Sequence, residues 1–348
     1  MKLNKLRFNC LTAIVLTSLI IIQFGCSKTE ETENQAPTCT IISPQNNDEI
    51  ELGNTETISV DANDTDGSII EVRFYIDDIG ISSTESIPYI YEWLTTDFEI
   101  GIHTIKAVAK DNDGNSTSDE IAIFLEVSCP SSVTDYDGNE YNVVLIGNQC
   151  WMAENLKTMH YANGTAIPLV EITSDWDNLG YTDKAYCYYD NSTTNSDTYG
   201  TLYTWAAIMN GATSNDANPS GVQGVCPDGW HIPSDDEWKE LEMYLGMSQS
   251  EADAIGYRGT DEGDKLKVTN GWYSNGNGTN SSGFTVLPAG YRNDDGAFFG
   301  LGYTAFFWSS TEYSSSNAWR RTLGFSISGV HRINSCKNLG FSARCLKD

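Results

Sequence analysis

Chemistry in this chain would have to come from its aromatic rings, its acids and its four histidines. Eight of the nine tryptophans lie after residue 150, and Tyr186, Tyr188, Tyr189, Tyr291, Tyr303 and Tyr313 accompany them. Aromatic faces suit stacking on sugar rings, whose C–H faces are apolar. Tyr291, Tyr303 and Tyr313 stand among glycines, asparagines and serines, so they are the contact candidates, expected in loops where truncation would leave folding almost unchanged. Trp93, Trp151, Trp230, Trp238 and Trp308 are expected in cores instead. Asp135, Asp137 and Asn139, with Glu140, are spaced like the start of a calcium loop. They are the metal candidates, and calcium is the one cofactor they point to. The later bidentate glutamate of such a loop is missing, so a tight hairpin turn is the expected structure there. His103, His160, His231 and His331 are far apart in sequence and are expected to pack or face solvent. Gly-x-Ser-x-Gly, His-Glu-x-x-His and a phosphate loop are all lacking. With 48 acids some carboxylate pair is inevitable, so acids alone do not indicate a glycosidase dyad. No catalytic residue is assigned.

The formal charge of −28 argues against nucleic acid as a partner, because no basic run is present to neutralise phosphates. The scattered acids form a solvated surface. Residues 1–25 have the pattern of an export leader. Lys2, Lys5 and Arg7 precede an apolar run from Leu11 to Ile22 that is too short to span a bilayer comfortably. Gly25-Cys26 then fits a lipoprotein cleavage site, with Cys26 acylated and the lipid holding the protein to the membrane. Ser27-Lys-Thr-Glu-Glu31 resembles the short signal that sends lipoproteins of Bacteroidetes-type bacteria to the outside of the outer membrane. The expected location is therefore the outer membrane, exposed at the cell surface. Of nine cysteines, Cys10 goes with the leader and Cys26 takes the lipid; the remaining seven are an odd number, so at least one stays free or pairs between chains. Spacing alone does not fix connectivity. The pairs expected are Cys129 with Cys150 and Cys226 with Cys345.

The elements that would position these residues fall into two units. Residues 26–36 are polar and acidic and form a tether. Residues 37–127 alternate as strands do: Val72, Phe74 and Ile76; Ile105, Ala107 and Ala109; Ile121, Ile123 and Leu125. Turn clusters such as Asp111-Asn-Asp-Gly-Asn115 separate them, and about seven short strands suggest a β-sandwich. Residues 128–132 form a linker, and residues 133–348 form the second unit. There Ser234-Asp-Asp-Glu237 is a capping box opening a helix whose apolar face is Trp238, Leu241 and Leu245, with Gly246 as its stop. A second helix is expected within residues 200–210. Short strands and long polar loops complete an α+β arrangement.

Seven motifs run through the second unit in a fixed order. They are Trp151-Met-Ala-Glu-Asn-Leu156, Ala185-Tyr-Cys-Tyr-Tyr189, Tyr199-Gly-Thr-Leu-Tyr-Thr-Trp205, Cys226-Pro-Asp-Gly-Trp-His-Ile-Pro-Ser234, Leu287-Pro-Ala-Gly-Tyr-Arg292, Trp308-Ser-Ser-Thr-Glu-Tyr313 and Gly340-Phe-Ser-Ala-Arg-Cys345. The set resembles the Fibrobacter succinogenes major paralogous domain, a family of exported bacterial modules, and it implies a location and a fold but no molecular activity. The 37–127 unit resembles bacterial immunoglobulin-like repeats, which imply a spacer. His231-Ile-Pro-Ser-Asp-Asp-Glu-Trp238 and Asn338-Leu-Gly-Phe-Ser-Ala-Arg344 are similar to segments of formylglycine-generating enzymes. Both imply a C-type-lectin-like fold. The active cysteine pair of that family has no counterpart within Trp319–His331. Calcium-dependent lectins of the fold use Glu-Pro-Asn and Trp-Asn-Asp motifs; neither occurs here, and Glu312 of Trp308-Ser-Ser-Thr-Glu312 stands near the place of the second.

The expected whole is multidomain: an all-β immunoglobulin-like sandwich followed by an α+β C-type-lectin-like domain. The expected role is non-catalytic binding or adhesion, to glycan or to a surface protein. A structural display or assembly component and an enzyme of unknown type are the alternatives. A cleft with two carboxylates, or a buried arginine–carboxylate pair, would favour the enzyme.

Overall fold

The computed structural model describes residues 34–348. The leader, Cys26 and most of the tether lie outside the described residues. The first unit pairs two sheets. One has the order β1 (Thr38–Ser43), β3 (Thr55–Asn63), β6 (Tyr89–Leu94); the other runs β2 (Glu49–Glu51), β8 (Ser116–Glu126), β7 (Gly101–Asp111), β4 (Ile69–Ile76), β5 (Ile79–Thr84). The period-two residues do what alternation requires. Val72, Phe74, Ile76, Ile105, Ala107, Ala109, Ile123 and Leu125 all point into one core with Trp93. Asp111 holds the turn after β7 by accepting from the backbone N–H groups of Asp113, Gly114 and Asn115.

The second unit carries two larger sheets. A five-stranded one runs β14 (Trp230–His231), β21 (Leu346–Lys347), β11 (Gln149–Met152), β10 (Glu140–Ile146), β9 (Ser132–Thr134). It joins the start and end of the unit, since Trp151 pairs with Leu346. A two-stranded ribbon pairs β12 (Tyr186–Cys187) with β13 (Leu202–Tyr203). The six-stranded sheet runs β15 (Gly256–Arg258), β20 (Val330–Cys336), β19 (Asn317–Gly324), β18 (Thr304–Glu312), β16 (Ala289–Arg292), β17 (Phe298–Leu301). Six short helices occur where two were expected: α1 (Thr173–Asp177), α2 (Thr193–Tyr199), α3 (Trp205–Met209), α4 (Asp235–Tyr244), α5 (Gln249–Asp253) and α6 (Glu262–Leu266). A helix of one or two turns leaves no 3.6-residue period to detect, which is why four escaped notice.

Helix α4 begins as its capping box dictates. Ser234 Oγ accepts from Glu237 N at 3.1 Å, and Glu237 Oε2 accepts from Ser234 N at 2.8 Å. The other oxygen of Glu237 meets His231 Nε2 at 2.8 Å, while Asp348 meets Nδ1 at 2.7 Å. Burial works against a charge on His231, but these two acids outweigh it and lift its pKa above the ordinary histidine value. Trp238 and Leu241 pack with Trp151, Phe284 and Phe307 against the six-stranded sheet. Disulfides join Cys129 to Cys150 and Cys226 to Cys345. Cys39, Cys187 and Cys336 are free. Buried Arg344, from the closing motif, donates to Asn155 Oδ1 and to the carbonyls of Met152, Phe284 and Thr285, tying the end of the unit to its interior.

Candidate functional site

Every strand of the six-stranded sheet has two faces, and they carry different chemistry. The inner face meets α4 and holds an ion network. Asp235 of α4 takes Arg321 Nη1 at 2.5 Å and Arg332 Nη2 at 2.5 Å. Glu242 takes Arg321 Nε at 2.7 Å and Arg258 Nη2 at 2.5 Å. Burial opposes ionisation of Asp235, but the two arginines hold its carboxyl well below the usual carboxylate range. Buried arginine–carboxylate pairs are thus present, as an enzyme would need, yet Asp235, Glu242 and Arg321 are at most 1 % exposed and all four carboxylate oxygens are taken by arginine. The network clamps helix to sheet and offers nothing to a substrate.

The outer face is open at one end and presents one ring or cation from each strand. Tyr257 on β15 pairs with His331 on β20, which pairs with Thr322 on β19, which pairs with Phe306 on β18. Gly290 lies beside Ala305, which brings the next residue, Tyr291, beside Phe306; Tyr291 pairs in turn with Phe299 on β17. The side chains touch in two groups along this order. Tyr257 stacks on His331 at 4.1 Å and 20°. The Tyr291 ring lies 4.6 Å from Phe306 and 5.7 Å from Phe299. Arg320, two residues along β19 from Thr322, lays its guanidinium 4.8 Å from the Phe306 centroid. Five inter-strand steps give the row a length of about 24 Å. Tyr257 is 63 % and Phe299 46 % exposed, so both ends of the row face solvent. Phe341 stacks on Phe306 at 5.0 Å and 19°, and with Tyr203 and Trp205 it covers the same face from there past Trp308.

Arg320 differs from the other arginines of the described residues. Arg73, Arg258, Arg321 and Arg332 have carboxylate partners, and Arg292 and Arg344 are spent on backbone carbonyls. Arg320 donates only to Ser335 Oγ at 2.6 Å and to Thr322 Oγ1. Burial pulls its pKa down to about 10, and the ionisable groups beside it are the hydroxyls of Tyr257 and Tyr291. Burial, followed by the charges of Arg320 and Arg258, lowers the pKa of His331.

The three candidate tyrosines do not converge. Tyr291 is a strand residue, not a loop residue, and is half-buried against Phe299, Phe306 and Phe341. The expectation that its truncation would spare folding is therefore corrected: it supports the row from below. Its glycine-rich flank has a steric cause. Gly290 has φ 64°, and a Cβ there would sit 2.5 Å from the Phe299 carbonyl oxygen. Tyr303 stacks on Tyr273 at 4.4 Å in the turn before β18, beyond the end of the row. Tyr313 sits past the opposite end of β18, edge-on to Trp319, whose face meets Arg332 of the inner network. Glu312 is exposed and pairs with Lys337 at 3.1 Å. Tyr303, Tyr313 and Glu312 all lie outside the row.

The metal candidates are consumed by the protein. Asp135 accepts from Asn139 N, Asn139 Nδ2 and Tyr141 Oη; Asp137 accepts from Thr158, Met159 N and His160. The two carboxylates serve different segments, so Asp135, Asp137 and Asn139 form a turn rather than a calcium loop. Among the described residues Asp216, Asp235 and Asp236 do bring carboxylates within 4.8 Å of one another. Asp235 is already committed to arginine, Asp236 to Lys239 and Asp216 to Thr311.

Arg320, His331, Tyr257, Phe299 and Phe306 were missed as site residues. The signal that could have found them was faint. In Trp319-Arg-Arg-Thr-Leu323 and His331-Arg-Ile333, a two-residue period puts Trp319, Arg321, Leu323 and Arg332 inside and Arg320, Thr322, His331 and Ile333 outside.

Residues 144–347, more than half of the chain, match the family model of the Fibrobacter succinogenes major domain, and residues 37–107 match that of a bacterial Ig domain. No curated protein matches. Among solved structures, the chain is similar to fibronectin(III)-like modules of Clostridium thermocellum CbhA, at 34 % identity over 26 % of this chain and 46 % of that one, with a TM-score of 0.24. It is similar to the endo-β-1,4-mannanase from Thermotoga petrophila at 17 % identity over 29 % of this chain and 22 % of that one, TM-score 0.23. It is also similar to SGBP-B of the Bacteroides ovatus mixed-linkage glucan utilization locus, in complex with a mixed-linkage heptasaccharide, at 17 % identity over 36 % and 38 % of the two chains, TM-score 0.22. The chain spans less than half the length of each of these three.

Proposed function

Because this chain belongs to the Fibrobacter succinogenes major domain family, we propose that it is a non-catalytic binding module carried on an immunoglobulin-like spacer and held at the outside of the outer membrane by a lipid on Cys26. The second unit is read as a C-type-lectin-like domain; the pairing of its two ends through Trp151 and Leu346 supports that reading. The ligand is a glycan chain. The observation that carries the proposal is the row from Tyr257 to Phe299, one side chain from each of six strands, open to solvent at both ends. A shallow aromatic strip about 24 Å long suits an extended sugar chain, whose rings stack flat on aromatic faces and leave their hydroxyls in water. The formal charge of −28 keeps the module soluble and away from anionic lipid and nucleic acid.

The test is retention on immobilised polysaccharides, neutral and acidic, by the full chain and by its Tyr257→Ala and Phe299→Ala variants. Wild-type retention that falls roughly tenfold or more in either variant, at unchanged melting temperature, supports the site, since one well-placed ring contributes ~1–3 kcal/mol. Retention indifferent to both substitutions sinks it.

A further inference from the structure

The proposed site has a polarity that aromatic stacking alone does not explain. We infer that Arg320 receives a carboxylate of the ligand, so that the glycan bound along the row carries a uronic acid among neutral sugars. This inference rests on the glycan-binding reading above and narrows it to one chemical class.

A guanidinium has five N–H donors. On Arg320 one goes from Nε to Ser335 and one from Nη1 to Thr322. The second N–H of Nη1 and both of Nη2 are left, side by side at the end of the planar group. That is the fork that matches the two oxygens of a carboxylate. Its central carbon lies over the Phe306 ring at 4.8 Å and 5.6 Å from the Phe341 centroid, so these rings close off that side and an incoming acid reaches the free N–H groups from the other. Ser335 and Thr322 fix the orientation in advance, which lowers the ordering cost of binding. The cost of keeping this cation poorly solvated is visible in the fall of its pKa to about 10.

The number of charges argues for a single carboxylate. His331 stands next along the row, and burial with the charges of Arg320 and Arg258 lowers its pKa, which keeps it neutral at pH 7. Arg258 faces the other side of the sheet and is paired with Glu242 at 2.5 Å. One positive charge therefore faces the ligand. A densely sulfated or phosphorylated chain would find one cation in a protein of formal charge −28 and be repelled by the rest.

The experiment applies the full chain, wild type and with Arg320→Met or Arg320→Lys, to matched oligosaccharides on one surface. These are uronate-bearing xylo-oligosaccharides, the same compounds with the carboxyl reduced to alcohol, sulfated oligosaccharides and a glutamate-rich peptide. The inference expects the uronate compound to bind roughly ten- to a hundredfold tighter than its reduced twin. Arg320→Met abolishes that preference, so the uronate compound and its reduced twin then bind alike; Arg320→Lys keeps part of the preference. Equal binding of uronate and reduced compounds overturns the carboxylate but leaves the glycan reading standing. Binding confined to the sulfated compounds or the peptide overturns the inference, and binding of nothing removes the glycan reading with it. Melting temperature is recorded for each variant; if Arg320→Met fails to fold, Arg320→Lys and the reduced twin still decide the matter.

Discussion

Replacing Glu242 with glutamine changes one heavy atom and should unsettle most of the second unit. Glu242 is fully buried, with Oε1 held by Arg321 at 2.7 Å and Oε2 by Arg258 at 2.5 Å. Glutamine keeps one acceptor and turns an amide N–H₂ toward the other guanidinium, donor against donor. Arg321 and Arg332 would be left with Asp235, and Arg258 would be left with no carboxylate partner. Breaking a buried pair from one side costs about 3–5 kcal/mol, a large part of a typical total stability of roughly 5–15 kcal/mol. For a unit of this size that is a drop on the order of 10 °C in melting temperature. Tryptophan fluorescence is the suitable probe, because eight of the nine tryptophans lie in the second unit. The double variant Glu242→Met/Arg258→Met removes one charge of each sign and should recover at least half of the loss, since well-packed apolar groups replace buried pairs at little cost. A loss below about 1 kcal/mol for Glu242→Gln would mean that water reaches the pair, and the clamp between α4 and the sheet would have to be abandoned.

Tyr291→Ala should cost about 2–4 kcal/mol through lost contact with Phe299, Phe306 and Phe341, whereas exposed Tyr257→Ala should stay within about 1 kcal/mol; denaturant unfolding separates the two. His231 has a raised folded pKa, so its contribution to stability is complete below the unfolded value near 6.5 and is lost as pH rises through the folded value. His331 is shifted the opposite way, so the measurement is the difference in unfolding free energy between wild type and His231→Gln across that window; a difference independent of pH would refute the assignment. Cys26→Ser should release the protein from membranes or block its processing, read by fractionation of cells. Limited proteolysis should cut within residues 128–134 and leave two stable pieces, with the Cys129–Cys150 disulfide holding the linker stub to β11; a single uncut fragment would indicate a fused interface, for which Lys347, at 3.1 Å from the Ser128 carbonyl oxygen and 3.4 Å from Glu51, is a ready contact.

What the sequence made legible were features written within a few residues. Val72, Phe74 and Ile76 announce their strand by alternation, and Ser234 with Glu237 announces α4 by a capping box. The site is of another kind. Tyr257, Phe306 and His331 become neighbours only after strand order and register are set, and β15, β20, β19, β18, β16, β17 is not the order of the chain. Gly290 and the Asn293–Gly296 turn give the surroundings of Tyr291 the composition of a loop, although the glycine serves a close strand approach. The calcium-like spacing at Asp135 encodes oxygens, but not which donors reach them first; the missing bidentate glutamate is what pointed to the turn that forms there.

Arg320 and Arg321 are adjacent in sequence and stand on opposite sides of one sheet, as do His331 and Arg332. A slip of one residue would exchange the members of each pair, burying a cation without its acids, so the inner ions also fix which residues look outward. Selection can therefore act on the two sides at separate rates. On the proposed reading, changes at Tyr257, Phe299, Arg320 or His331 would alter what is recognised, while the residues that hold the register stay as they are. Such a sheet is suited to duplication and retargeting: copies of one scaffold could diverge in the molecules they hold before they diverge in how they fold, and a library randomised at those four positions would explore recognition on a nearly constant frame.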